Sequence, residues 1–487
     1  MSALAAEWVK FRTVRGWVVA VVIAAAVIAG LALSSGMHGT CTGDSCALPT
    51  GPGGEAVTDS FYFVHHQQLA GDATITVRVD SLTGQVPAAT GPGMRPGLVP
   101  WAKAGIIVKA SLAQGSAYAA MMLTGGHGVR MQYDYTGDIA APAISARWLR
   151  LARHGDQVTG YESADGARWI TVGSVTLRGR TVQAGLFATS PQYSATSLGS
   201  SQVSGGPSQA TGTFSDVRLS RAGGTWAGSD IGGGQGGLAG PATGYRDDGG
   251  AFTVTGSGDI APAVSGASGL GVTIAQTLLG TFAALIVLVV VGAMFITAEY
   301  RRGLIRLTLA ACPRRGRVLA SKAAVTGSVA FAAGLAGSAI AVTAGQAMLR
   351  SNGVYVAPVS ALTQVRVIVG TAAVLAVCAV IAVAVGTVIR RGAVAIAAVI
   401  MITVVPYLLG VAIPVLPATA TNWLMRVTPA AAFAIQQTVV QYHQVDNVYL
   451  PSAGYYPLTA WAGFAVLCAW AAAALALAVI TLNRRDA

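Results

Sequence analysis

The chain has 487 residues, 31 Lys plus Arg against 19 Asp plus Glu, 53% hydrophobic residues and only 10% charged ones, where a soluble domain averages roughly 25% charged. A wholly soluble protein is excluded on that ground. Residues 37–265 hold 14 basic and 15 acidic residues while the other 258 hold 17 and 4, so the positive excess lies in short clusters at the ends of apolar runs, which argues against nucleic-acid binding, where Lys and Arg share one folded face.

A spanning helix needs about 20 mostly apolar residues, and six runs supply them: 17–35, 270–297, 323–348, 366–389, 393–416 and 459–482. The first follows a basic start, as a signal peptide would, but no small-x-small cleavage site closes it and five more runs follow, so a retained anchor is expected. Just beyond it Cys41 and Cys46 flank Thr-Gly-Asp-Ser. Outside the cell they can close a small disulfide ring; otherwise they are a free pair in a linker. Cys312, Cys378 and Cys468 read as small packing residues.

Residues 60–220 change to short alternating runs separated by Gly, Asp and Ser turns, which is strand chemistry. Strands are predicted at 73–82, 104–112, 129–135, 147–153, 157–162, 168–175, 182–188, 213–220 and 252–255, with tight turns at His154-Gly155-Asp156 and Ala164-Asp165-Gly166. That is enough for a two-sheet sandwich. The Gly- and Ser-rich stretches 199–212 and 223–250 read as long loops. The outer block offers little catalytic chemistry: its only glutamates are Glu55 and Glu162, short of the closely spaced carboxylates a glycosidase needs. His65, His66, His127 and His154 lack metal-like spacing, Asp134 and Asp138 read as loop residues rather than a calcium site, and Trp101 and Trp169 as core rather than a sugar platform.

The order Phe61-Tyr62-Phe63-Val64, Gly71-Asp72, Pro100-Trp101-Ala102-Lys103-Ala104-Gly105, Arg147-Trp148-Leu149-Arg150-Leu151 and Ser163-Ala164-Asp165-Gly166 with Trp169 resembles the concanavalin A-like (laminin G-like) jelly-roll modules of bacterial glycan-active proteins. In those modules a strand similar to 252–260 comes first, whereas here it comes last, which implies a circularly permuted sandwich. Residues 251–257 lie beyond two Gly-rich stretches, so a hairpin with a sequence neighbour is not expected; pairing within the 60–220 block, beside the N-terminal strands, is.

The longest connector between spans, 299–322, carries Arg301, Arg302, Arg306, Arg314, Arg315, Arg317 and Lys322 beside Glu299. Leu304, Ile305, Leu307 and Leu309 can form a short amphipathic helix that Pro313 stops. With the N-terminus inside, these residues join Lys10, Arg12, Arg15, Arg390, Arg391, Arg484 and Arg485 on the inner face, fourteen against Arg350, Arg366 and Arg426 outside. Both termini are therefore expected in the cytoplasm and 37–265 outside the cell membrane. Pro406 and Pro414 predict a kink in the fifth span, and the intramembrane Gln276, Gln346 and Thr403 carry no charge that would select an ionic cargo.

The connector and the opening Ala5-Ala6-Glu7-Trp8-Val9-Lys10-Phe11-Arg12-Thr13-Val14-Arg15, with Trp423, Thr428-Pro429-Ala430, Pro457, Trp461-Ala462-Gly463-Phe464 and the terminal Arg484-Arg485-Asp486-Ala487, resemble permease subunits of type-2 ABC exporters, particularly those of actinomycetes. The resemblance implies that the opening is an amphipathic connecting helix and that 299–322 is the coupling segment docking on a separate ATPase subunit, with Glu299, Arg301, Arg302, Arg306, Arg314, Arg315, Arg317 and Lys322 as coupling residues. It also implies a second permease copy or homologous permease, ATP and Mg²⁺ bound by the partner ATPase, and no cofactor in this chain, which contains no Gly-x-x-x-x-Gly-Lys-Ser/Thr phosphate loop. The physical alternative for the connector is an anchor for anionic lipid.

The expected fold is a membrane protein of six transmembrane α-helices with an all-β extracellular jelly-roll sandwich, circularly permuted, inserted between helices 1 and 2. The expected units are 1–36, 37–265 and 266–487. The rival function is a membrane-anchored glycan-binding sensor or adhesin, for which one span would suffice.

Overall fold

A computed structural model describes residues 3–485 apart from 39–47, 67–68, 89–92, 143–146, 197–202, 221–224, 234–241, 265–271, 306–307, 309–313, 413–417, 446–448, 450 and 452–453. Among these residues six helices are long and apolar enough to cross a membrane: Arg15–Met37, Gly280–Arg301, Arg315–Ser351, Ala361–Ile389, Gly392–Gly410 and Ala460–Arg484. Each coincides with one of the six apolar runs, because a helix is what satisfies the backbone of an apolar segment in lipid.

The bundle closes on small residues. A Cβ at Gly292 would meet the Ala379 carbonyl oxygen at 2.7 Å, one at Gly334 the Ala372 Cα at 2.9 Å, and one at Gly280 the Ile28 Cα at 2.7 Å. The fourth span, contacted from both sides, is the most enclosed. Backbones that approach this closely substitute dispersion contacts for the missing hydrophobic drive. In the fifth span the α-helix ends at Thr403 and the chain continues as Val405–Tyr407 and a π-helical turn, Leu408–Ala412. Pro406 has no N–H to offer the Ile402 carbonyl, which accounts for the interruption; Pro414 lies outside the described residues. A fully buried 3₁₀ segment, Pro429–Gln436, fills the core before the last span.

Between the first and second spans the chain forms two antiparallel sheets of eight strands. One runs Ile170–Thr176, Gln157–Ser163, Trp148–His154, Ala73–Pro87, Gln209–Leu219, Phe252–Gly256 and Gly244–Asp247, with Met94–Pro96 also on Ala73–Pro87; the other runs Ala227–Ile231, Phe61–His65, Thr181–Thr189, Lys103–Lys109, Tyr118–Thr124, Val129–Tyr133 and Gly137–Ala140, with Leu69–Ala70 also on Thr181–Thr189. Val77, Leu149, Phe214 and Val254 of the first pack on Ile106, Val108, Met121 and Leu186 of the second. Alternating side chains turn one face of these strands into the core between the sheets, as a sandwich requires, and in Lys103–Lys109 and Tyr118–Thr124 the other face is buried as well.

Three sequence expectations need correction. Strands Val203–Gly206, Gln209–Leu219, Ala227–Ile231 and Gly244–Asp247 occupy parts of the stretches read as loops; they are held by ladder hydrogen bonds that need no apolar side chains. Residues 252–256 do form a hairpin with a sequence neighbour, pairing Asp247 with Phe252. Gly249 (φ 75°) and Gly250 (φ 102°) make its turn, and Gly250 N–H donates to Asp247 Oδ1 at 2.9 Å. Their other partner is Gln209–Leu219, within the expected block, but Phe61–His65 belongs to the opposite sheet.

Val57–Asp59 pairs with Ile260–Pro262, so the strands leading into and out of the sandwich run side by side.

Candidate functional site

The helix Ala3–Thr13 buries Glu7 and Phe11, four residues apart on one face. Phe11 packs edge-on to Phe295 of the second span at 5.6 Å, and Phe295 lies 4.7 Å beneath the Lys322 ammonium. Lys322, with no solvent exposure, donates to Glu7 Oε2 and to Glu299 Oε1, both at 2.7 Å. Lys10 donates to Glu7 Oε1 at 3.0 Å and Glu299 Oε1 at 3.2 Å. Partial burial works against the Lys10 ammonium, but the two carboxylates outweigh it and hold its pKa above the ordinary lysine value. Two cations and two anions thus form a neutral cluster tying together the N-terminal helix, the end of the second span and the start of the third. Those are the elements that bracket the 302–314 connector.

Arg301, Arg302, Arg314 and Arg317 are exposed around the connector, and Leu304 is exposed beside them while Ile305 is buried. Leu304, Ile305 and Thr308 are helical, with Thr308 Oγ1 donating to the Leu304 carbonyl at 3.1 Å. Arg306, Leu307, Leu309 and Pro313 lie outside the described residues. Arg315 turns away from this surface and donates to the Leu482 carbonyl at 2.6 Å, satisfying the C-terminus of the last helix. Arg390 stacks over Tyr300 at 5.0 Å. These contacts gather the basic ends of the helices on one side of the bundle.

Of the eight coupling residues expected from the sequence, Glu299 and Lys322 are thus internal to the cluster, four arginines face solvent, Arg315 caps a helix and Arg306 is outside the described residues. Their closest partners are Glu7 and Lys10 of the N-terminal helix, whose pairing with the connector the sequence does not announce. A compositional signal is available all the same: only four acidic residues occur outside 37–265, and two of them are Glu7 and Glu299.

At the opposite end, His443 Nε2 meets Asp138 Oδ2 at 2.9 Å and Gln444 Nε2 donates to the Thr136 carbonyl at 3.1 Å, fastening the sandwich to the segment before the last span. Asp138 also accepts from Arg130 and Gln132. Burial opposes the charge of its carboxyl, yet these donors keep it below the ordinary carboxylate range. Lys109 pairs with Asp59 at 2.7 Å and Lys103 with Asp259 at 2.6 Å, both lysines fully buried. Trp101 is buried against His127, and Trp169 carries Arg150 at 3.7 Å over its ring. Cys41 and Cys46 lie outside the described residues.

Residues 111–487 match the family model described as ABC-2 family transporter protein. Among solved structures, a functionally unknown protein from Saccharomyces cerevisiae is 16% identical, over 33% of this chain and 74% of its own, with a TM-score of 0.16. SCP-B, a member of the eqolisin family of peptidases in complex with the tripeptide Ala-Ile-His, is 13% identical, over 41% of this chain and 98% of its own, with a TM-score of 0.22. Neither likeness is close enough to carry an argument. No curated protein matches the chain.

Proposed function

The chain belongs to the ABC-2 transporter family and is a multi-pass membrane permease of an ABC system; from that premise we propose that it works as an exporter subunit moved by a separate ATPase docking on residues 299–322. The observation that carries this reading is the exposed set Arg301, Arg302, Arg314 and Arg317, mounted on a connector whose two ends are joined by the Glu299–Lys322 ion pair. A push on the connector reaches the second and third spans and the N-terminal helix together, because Lys322 is fully buried and both its carboxylate partners come from the other two elements.

In this proposal both termini lie in the cytoplasm and 37–265 is an extracellular insertion, a circularly permuted concanavalin A-like jelly roll. The fourteen-to-three bias of basic residues supports the orientation. A second permease copy or homologous permease completes the translocation path, and an extracellular glycan is a further partner for the sandwich. ATP and Mg²⁺ belong to the ATPase.

Replacing Arg301, Arg302 and Arg306 together by Ala is expected to abolish ATP-driven transport while leaving membrane insertion intact. The wild-type chain purified from its native host should bring down an ATPase of permease-partner size. Retained transport in the triple variant would shift the connector to the anionic-lipid role, and absence of any ATPase would favour the sensor or adhesin. For the expected Cys41–Cys46 disulfide, thiol labelling should rise after reduction; equal labelling with and without reductant rules the bond out.

A further inference from the structure

Between the base of the sandwich and the bundle lies a cavity of about 180 Å³. Glu55 lines it from the sandwich side, and Thr273, Tyr355, Thr438, Tyr442 and Tyr455 line it from the bundle side. Glu55 Oε1 and Thr438 Oγ1 are buried, with no hydrogen-bond partner among the described residues. The carboxylate is held in place by the turn beneath it: Gly51 N–H donates to the Glu55 carbonyl at 2.8 Å, and a Cβ at Gly51 or Gly53 would collide with a carboxylate oxygen. Its charge is felt across the cavity, since burial first and Glu55 second push the Tyr442 phenol above its ordinary pKa.

The lining dictates the occupant. No Lys or Arg lines the cavity, so no side-chain cation there would balance an anion beside Glu55. A neutral molecule could donate a hydrogen bond to Glu55 Oε1 but would leave the charge unpaired. Among the described lining residues a metal ion would find a single carboxylate, and the described residues hold no group of three or more His, Cys, Asp or Glu that could ligate one. An alkylammonium would suit this lining: its charge would pair with Glu55 and its methyl or methylene groups would lie among Tyr355, Tyr442, Tyr455, Val264 and Val439. The volume suits a head group rather than a drug-sized molecule, since pockets for the latter start near ~300 Å³.

We propose that this cavity binds a small organic ammonium ion of about the size of choline, free in solution or presented as the head group of a zwitterionic lipid. The site does not depend on the direction of transport or on the ATPase.

Two probes test it on the full-length chain in nanodiscs of phosphatidylglycerol alone: choline, and its uncharged carbon isostere 3,3-dimethyl-1-butanol. Calorimetric titration should show choline binding about tenfold or more tightly than the isostere, with Glu55→Gln removing that preference and Tyr442→Leu weakening choline alone. Equal affinity for the two probes, no binding of choline, or a preference that survives Glu55→Gln overturns the proposal; the comparison of probes on wild type holds even if a variant fails to fold. Adding phosphatidylcholine to the nanodiscs separates the sources. A fall in apparent choline affinity identifies the lipid head group as the occupant, and an unchanged affinity identifies the free ion.

Discussion

Lys322→Met is expected to cost about 3–5 kcal/mol of stability, because it leaves Glu7 and Glu299 buried with only the half-exposed Lys10 to compensate them. The side chains are nearly equal in volume, so lost packing contributes little and the effect isolates the charge. Thermal unfolding in nanodiscs should show a large downward shift, with the N-terminal helix becoming accessible to protease between Thr13 and Arg15. Adding Glu7→Gln and Glu299→Gln to the same variant removes every stranded charge and should recover most of the stability. A single Lys322→Met variant that melts like wild type would mean that the cluster contributes nothing to joining the three elements.

The second large effect lies at the other end of the molecule. Asp59 accepts from Lys109 at 2.7 Å, from the Tyr135 hydroxyl at 2.7 Å and from Gly115 N–H at 2.8 Å. Asp59→Ala orphans a lysine with no solvent exposure, again at about 3–5 kcal/mol, and should open the chain around residue 57 to limited proteolysis while the helices stay intact. Its pH dependence has a definite sign. Burial already sets the Lys109 pKa below the ordinary lysine value, against the pull of Asp59; without Asp59 it falls further. Between that folded value and the unfolded one, near 10.4, the unfolded chain binds the extra proton, so stability rises with pH. The defect should therefore shrink as the pH climbs toward the lysine range, and a defect that grows instead would show that Lys109 is not the stranded group.

What the sequence made legible was whatever rests on composition over a long window. The six spans could be read because charge is absent across some twenty residues at a time, and the central strands because inward and outward positions alternate in polarity. Tyr118–Thr124 escaped for the opposite reason. Ala119 and Met121 face the sandwich core while Tyr118, Ala120 and Met122 face a second cluster on the outer side of the sheet, so both faces are apolar and no alternation marks the strand. Gly244–Asp247 escaped because a sheet-edge strand is held through its backbone, which leaves little imprint on side-chain type. In the candidate site the basic connector was conspicuous as a local cluster, whereas the pairing of Glu7 with Lys322 joins residues 315 positions apart. Only the folded bundle brings them together.

The paired strands Val57–Asp59 and Ile260–Pro262 form a single neck bolted to the strand Lys103–Lys109 by Asp259 at one end and Asp59 at the other. Six residue steps, about 20 Å of strand, separate the two lysines, which reach from one face toward carboxylates on neighbouring positions of the neck, since Asp59 pairs with Ile260 beside Asp259. Two buried ion pairs thus hold one end of the neck against the sandwich. A force on the sandwich therefore reaches the bundle at two places, through the neck into the first two spans and through His443 and Gln444 into the segment before the last.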